Sequence, residues 1–145
     1  SDEPGVALER IKEFMANPEE AAKFVKLTGI DSLAAAVGTI HGCKQPIAKL
    51  DIKRIEKIRE LTGLPLVLHG ASGVSDEELK KGINAGICKV NIDTRIRVAF
   101  TKAVKEYILK NSDEIDPRKL LTTAKDAAKE VIRDRMRVLN SHNRF

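Results

Sequence analysis

Aromatic residues are nearly missing from this chain. Tryptophan is absent, and Phe14, Phe24, Phe100, Tyr107 and Phe145 are the whole set. A protein that binds single strands by stacking bases on aromatic rings needs a richer supply, so that class is disfavoured. Cysteine is equally scarce. Cys43 and Cys88 form neither a CxxC pair nor a dense framework, so they read as reduced thiols and the expected compartment is the cytoplasm. Long apolar runs are missing too: no stretch is apolar enough to span a bilayer, and no charged segment followed by an apolar one opens the chain. No membrane partner is expected. Charge of one sign does not dominate, since the net +5 is spread over 145 residues. The basic density at Arg133, Arg135, Arg137 and Arg144 reads as a solvated helix face and not as a nucleic-acid stripe, so no nucleic-acid partner is expected.

What is present is an ordinary globular composition, 42% hydrophobic and 32% charged, sufficient for one core. The first residue is Ser1 and not Met, and the chain is expected to be part of a longer polypeptide.

Helix and strand signals alternate along it. After a lead-in over residues 1–16, Asn17, Pro18 and Glu20 make a loose capping box, and Ala21, Phe24, Val25 and Leu27 form an inner face that stops at Gly29. Ser32-Leu-Ala-Ala-Ala-Val37 is nearly all apolar and is expected as a strand covered on both faces. A loop over 43–50 leads to Asp51, which caps a helix bearing Ile52, Ile55, Ile58 and Leu61 and closed by Gly63 and Pro65. Leu64 to Leu68 is a second buried strand. Ser75 and Glu78 form another capping box, Gly86 ends that helix, and Ile87 to Ile92 is the third strand. One helix then runs from Asp93 to about Asn111, and another from Asp116-Pro117 to about Val138. The order is α-β-α-β-α-β-α-α, an α/β class with a parallel sheet. Right-handed crossovers bring the three strand C-termini to one edge, which in a (β/α)8 barrel is the catalytic face. Three strands cannot close a barrel, which takes about 250 residues. The expected architecture is therefore the last portion of a (β/α)8 TIM barrel, about three βα units, or a small open sheet. It is expected as a single partial domain over 1–145, with residues 112–145 as a C-terminal helical extension.

Of three histidines, two stand at strand ends before glycine, His41-Gly42 and His69-Gly70. A neutral imidazole is a good zinc ligand, and a catalytic zinc takes three protein ligands plus an open position. His41 and His69 supply at most two, and each could instead cap a strand end through hydrogen bonds. Gly70-Ala71-Ser72-Gly73 joins a strand to a helix. Its glycines let backbone N–H groups approach an anion, and Ser72 adds a hydroxyl, but a plain strand-to-helix turn needs glycine as well. Asn91-Ile92-Asp93-Thr94 ends the third strand on polar groups, of which Asp93 or Thr94 could serve simply as an N-cap. The pattern alone leaves both readings open at each place.

Taken together, Asn17-Pro-Glu-Glu-Ala-Ala-Lys-Phe-Val, Gly29-Ile-Asp-Ser-Leu-Ala, Gly38-Thr-Ile-His-Gly, Leu66-Val-Leu-His-Gly-Ala-Ser-Gly, Lys89-Val-Asn-Ile-Asp-Thr and Asp116-Pro-Arg-Lys run through almost the whole chain. In that order they resemble the class II, metal-dependent ketose-bisphosphate aldolases, typified by fructose-1,6-bisphosphate aldolase. The resemblance implies a (β/α)8 barrel of which roughly the last three strands are here. It implies a glycolytic lyase that reversibly cleaves fructose-1,6-bisphosphate into dihydroxyacetone phosphate and glyceraldehyde 3-phosphate. Tagatose-1,6-bisphosphate is the alternative sugar, and a non-catalytic phosphosugar-binding chain is the alternative if nothing lies upstream.

His41 and His69 are then two of three Zn2+ ligands. The third ligand, an aspartate acid/base and a mobile glutamate-bearing loop belong upstream, so the 145 residues alone are expected to be inactive. Gly42, Gly70, Ala71 and Ser72 would hold the phosphate of dihydroxyacetone phosphate. Asn91, Ile92, Asp93 and Thr94 would complete that pocket, with Asn91 in the catalytic role beside the carbonyl. Arg97 would face the second phosphate. Asp116 and Arg118 would reach a neighbouring subunit's site, which implies a homodimer or homotetramer. A monovalent cation, Na+ or K+, is a further implied ligand. The chain departs from the family in two places. Cys43-Lys44-Gln45-Pro46 stands in place of a Tyr-Lys pair, with Lys44 as the implied phosphate-binding lysine, and Arg95 stands where many relatives have Asp. The chemistry is coherent: loss of a proton beside a ketone builds an enediolate that a divalent metal stabilises, and a remote phosphate positions the reacting carbons.

Overall fold

Every described α-helix but one starts on a side chain that takes up one of its unpaired N–H groups. In the computed structural model, which describes residues 10–39 and 47–144, Asn17 Oδ1 accepts the Glu20 N–H at 3.0 Å and Pro18 sits in the first turn of α1 (Pro18–Thr28). β1 is Leu33–Ala34. Asp51 Oδ1 accepts the Arg54 N–H at 3.1 Å and opens α2 (Ile52–Thr62). β2 is Leu66–Leu68, followed by a 3-10 turn over Ala71–Gly73. Ser75 Oγ accepts the Glu78 N–H at 3.3 Å and opens α3 (Asp76–Ala85). β3 is Ile87–Val90, and α4 (Thr94–Lys110), the uncapped exception, follows it. Asp116 opens α5 (Pro117–Val138). The element order and the parallel sheet are those read from the sequence.

Four details differ. β2 begins at Leu66 and not at Leu64. β1 is two residues long and not six, because the backbone beyond Ala34 bonds to loops: Ala36 O accepts from Ala16 N and Val37 O from Asp51 N, each at 2.9 Å. β3 stops at Val90 and not at Ile92. The Ser75–Glu78 capping box is half made. The Glu78 carboxylate accepts the Leu50 N–H at 3.1 Å and the Lys81 ammonium at 2.7 Å, so it clasps the segment before α2 instead of its own helix start.

The chain divides into two compact units, Ser1–Ile92 and Asp93–Phe145. The first holds a parallel sheet in the order β1-β2-β3. Leu33 pairs with Leu66 and Ala34 with Val67; Leu66 pairs with Ile87, Val67 with Lys89 and Leu68 with Val90. The jump from Ile87 to Lys89 leaves Cys88 as an extra residue, a bulge in the ladder. This sorts the side chains onto two faces. Leu33, Leu66, Leu68 and Ile87 are buried, together with Ile55 and Ile58 of α2 and Leu79 of α3. Each fully buried apolar side chain of this kind contributes about 1.5–3 kcal/mol. α3 lies tight on this face, since a Cβ on Gly82 would fall 2.9 Å from Ile87 Cδ1. The other face, with Ala34, Val67 and Lys89, stays accessible. The expectation of strands covered on both faces therefore holds for one face only, because α2 and α3 contribute their apolar residues to the same side.

The two described ends of the path from β1 to α2 are closely held. Gly38 has φ +115°, and a Cβ there would lie 2.2 Å from Lys49 O, so glycine is required. Ala48 bridges Val74 and donates to Gly73 O at 2.9 Å, tying this path to the turn after β2.

In the second unit α4 and α5 pack on each other. Ala124 is fully buried and allows a close approach. Glu114 organises the connection: it accepts the Asp116 N–H at 3.0 Å, the Lys119 ammonium at 2.7 Å and the Tyr107 hydroxyl at 3.4 Å. Arg135 departs from the solvated face expected for the basic residues of α5. Only 7% exposed, it pairs with Asp134 at 2.6 Å. No described helix is long and apolar enough to cross a membrane.

Candidate active site at the sheet edge

Parallel pairing of Leu68 with Val90 makes the next residue of each strand a neighbour of the other. Those residues are His69 and Asn91. The Asn91 N–H continues the ladder to Leu68 O at 2.9 Å, and Asn91 Nδ2 stands 3.2 Å from His69 Nε2. On the same face, two residues back along β3, Lys89 Nζ donates to Asn91 Oδ1 at 2.8 Å. An ammonium can only donate, so it fixes the amide with Oδ1 toward Lys89 and Nδ2 toward the ring. His69 Nε2 is then the acceptor, and the ring proton belongs on Nδ1.

Directly after His69 the chain turns. Gly70 adopts φ +65°, and Ala71 and Ser72 are 2% and 5% exposed. The Gly73 N–H bonds to Gly70 O at 3.3 Å and the Val74 N–H to Ala71 O at 3.1 Å. These two amides are used in closing the turn. The turn is anchored from behind by Ala48 and, one helix turn on, by Glu78. The ammonium of Lys81 is the main reason the Glu78 carboxyl lies below its ordinary range; burial opposes it, and the Leu50 N–H adds a smaller lowering effect.

The remaining sequence candidates fall into distinct places. His41, Gly42 and Lys44 lie outside the described residues. Ile92 ends the first unit. Asp93 occupies the N-cap position of α4, yet its side chain makes no capping bond; it pairs with Arg97 at 3.1 Å, both groups well exposed, and Thr94 begins the helix. Asp116 accepts the Arg118 N–H at 2.9 Å and its guanidinium at 2.8 Å. That guanidinium is the main reason the Asp116 carboxyl titrates below its ordinary range. Sequence reasoning missed Lys89 as a site residue. Its signal was the two-residue spacing from Asn91, which puts both on one face of a strand.

As a metal site, the described part offers one imidazole, exposed at a strand end among polar groups. That suits one zinc ligand. Among the described residues no group of three or more His, Cys, Asp and Glu comes together, so the remaining ligands would have to lie elsewhere.

The comparisons fit this geometry. The family model for class-II fructose-bisphosphate aldolase matches residues 1–144, and the chain belongs to that family. The YdjI aldolase from Escherichia coli K12 is 36% identical, with a TM-score of 0.75 over 88% of this chain and 46% of its own. A fructose-bisphosphate aldolase from Campylobacter jejuni, 24% identical, shares the fold with a TM-score of 0.78 over 92% of this chain and 47% of its own. The chain thus spans about half the length of these relatives, and its α/β fold is consistent with part of a TIM barrel.

Proposed function

We propose that the chain is the C-terminal part of a class II aldolase that cleaves a ketose 1,6-bisphosphate, fructose-1,6-bisphosphate first, to dihydroxyacetone phosphate and glyceraldehyde 3-phosphate. The observation that carries this reading is His69 beside Asn91 at neighbouring strand ends, directly before the Gly70–Ser72 turn, in a chain of this family. His69 and His41 would be zinc ligands. When bound, the metal supplies Lewis-acid stabilisation of the negative charge that builds on a ketone as the neighbouring proton leaves.

The chain's own groups then have separate tasks. The amides of Gly70 and Ala71 and the Ser72 hydroxyl, with Gly42 and Lys44, would hold the substrate's first phosphate. Burial of Ala71 and Ser72 supports a preset geometry for that hold. Asn91 would donate from Nδ2 to the substrate oxygen, with Ile92, Asp93 and Thr94 bordering the pocket. Arg97 would exchange its exposed Asp93 partner for the second phosphate, an exchange of low cost because such pairs are weak. Asp116 and Arg118 would serve a neighbouring copy in a homodimer or homotetramer. A Na+ or K+ ion belongs to the same reading. The sugar is distinguished by kinetics on fructose and tagatose bisphosphates.

The test is cleavage of fructose-1,6-bisphosphate by the full-length polypeptide. Activity should be abolished by a chelator, restored by zinc and lost in His69→Ala; chelator-resistant activity in that variant would overturn the reading.

A further inference from the structure

Lys89, Asn91 and His69 form a chain of hydrogen bonds whose direction is fixed at one end. Lys89 Nζ is a pure donor 2.8 Å from Asn91 Oδ1. The amide therefore presents Nδ2, also a donor, to His69 Nε2 at 3.2 Å. An imidazole nitrogen holds one lone pair in the ring plane, and here the one on Nε2 is engaged. His69 can offer Nε2 to a metal only by giving up the Asn91 bond. It can offer Nδ1 only by moving its proton to Nε2. That would set two donors face to face unless the Asn91 amide turns over, and the turned amide would then set Nδ2 against the Lys89 ammonium. Both routes break the chain.

We infer that Lys89 and Asn91 form a latch on His69, so that metal binding and the latch exclude one another. This rests on the reading of His69 as a metal ligand. Loading through Nε2 then frees the Asn91 amide and the Lys89 ammonium together. A carboxamide and a cation become available at the sheet edge only once the metal is in place, which sets an order of metal first and anionic oxygen-bearing substrate second. Lys89 is thereby a positioning residue, acting on His69 through Asn91.

Zinc affinity of the full-length polypeptide, measured by competition with a chelator, tests this without turnover. Asn91→Ala removes the latch without changing charge and should bind zinc about two- to tenfold more tightly than wild type, the equivalent of one net hydrogen bond no longer broken. Lys89→Arg, which keeps a donor cation, should stay near wild type. In the metal-free protein, imidazole nitrogen NMR should show His69 Nε2 as the unprotonated acceptor, and Lys89→Met should populate both ring tautomers.

The two failures are distinguishable. If His69→Ala binds zinc as tightly as wild type, the ligand reading falls and the latch with it. If His69→Ala loses zinc while Asn91→Ala binds it no more tightly than wild type, the ligand reading stands and the latch is overturned. A wild-type His69 protonated on Nε2 would overturn the latch even if the Asn91 variant failed to fold.

Discussion

The two faces of the three-stranded sheet carry different work. One face presents Leu33, Leu66, Leu68 and Ile87, each under 9% exposed and packed with residues of α2 and α3. The other presents Ala34, Val67 and Lys89, accessible along its length and ending on His69 and Asn91. Backbone pairing is shared, so the faces differ only in side chains and in what lies over them. On the proposed function, this divides cohesion from chemistry across a single pleat. Substitutions on one face should read out in stability, and those on the other in binding and turnover.

The largest effect expected is at Leu68. Its side chain is 1% exposed, and Leu68→Ala should cost about 2–5 kcal/mol in denaturant unfolding. His69→Ala, one residue on, should abolish turnover with a stability change within about 0.5 kcal/mol. Equal losses of stability in the two variants would break the comparison. Gly38→Ala tests the close approach of the segment after β1 to the one before α2. The positive φ and the approach to Lys49 O should cost about 1–3 kcal/mol.

Glu78→Gln comes next, weakening the clasp on Leu50 by about 1 kcal/mol at neutral pH. The folded carboxyl titrates below its ordinary range, so its contribution is present above that range and is lost as acid protonates it, below about pH 4. The variant should therefore lose stability less steeply than wild type on acidification, and a parallel decline would remove Glu78 from the account. Smallest is Val67→Ala on the open face, expected within about 0.5 kcal/mol. A loss there approaching that of Leu68→Ala would mean that this face is covered in the full-length polypeptide.

What the sequence made legible was local. Asn17, Asp51, Ser75 and Asp116 each cap a helix through an N–H two or three residues ahead, so the cap and its partner lie in the same few letters. Alternation of those helices with short apolar runs was enough for the parallel order, and a strand end before glycine was enough to single out His69. Long-range choices were not legible. Glu78 carries the letter of a capping box, yet its carboxylate goes to Leu50, 28 positions away, because that amide needs an acceptor where the loop passes α3. Arg135 looked like one basic residue among several, and packing decided that it alone would be buried. Lys89 was hidden for a related reason. With Ile87 buried, strict alternation would send Lys89 and Asn91 to the covered face, and only the extra residue at Cys88 turns the two of them to the open one.

That extra residue makes β3 unusual in how it could be edited. Elsewhere in a sheet, removing one residue turns every side chain beyond it to the wrong side. Here the strand holds one residue more than its pairing uses. A chain lacking Cys88 would run Ile87-Lys89-Val90-Asn91 in plain alternation against Leu66-Val67-Leu68-His69, with every partner kept. The forfeit is the contacts of the thiol with the Arg59 guanidinium and Gly86 O. Cys88 is thus a place where the strand can be shortened by one residue while the pair of polar side chains at its end stays where it is.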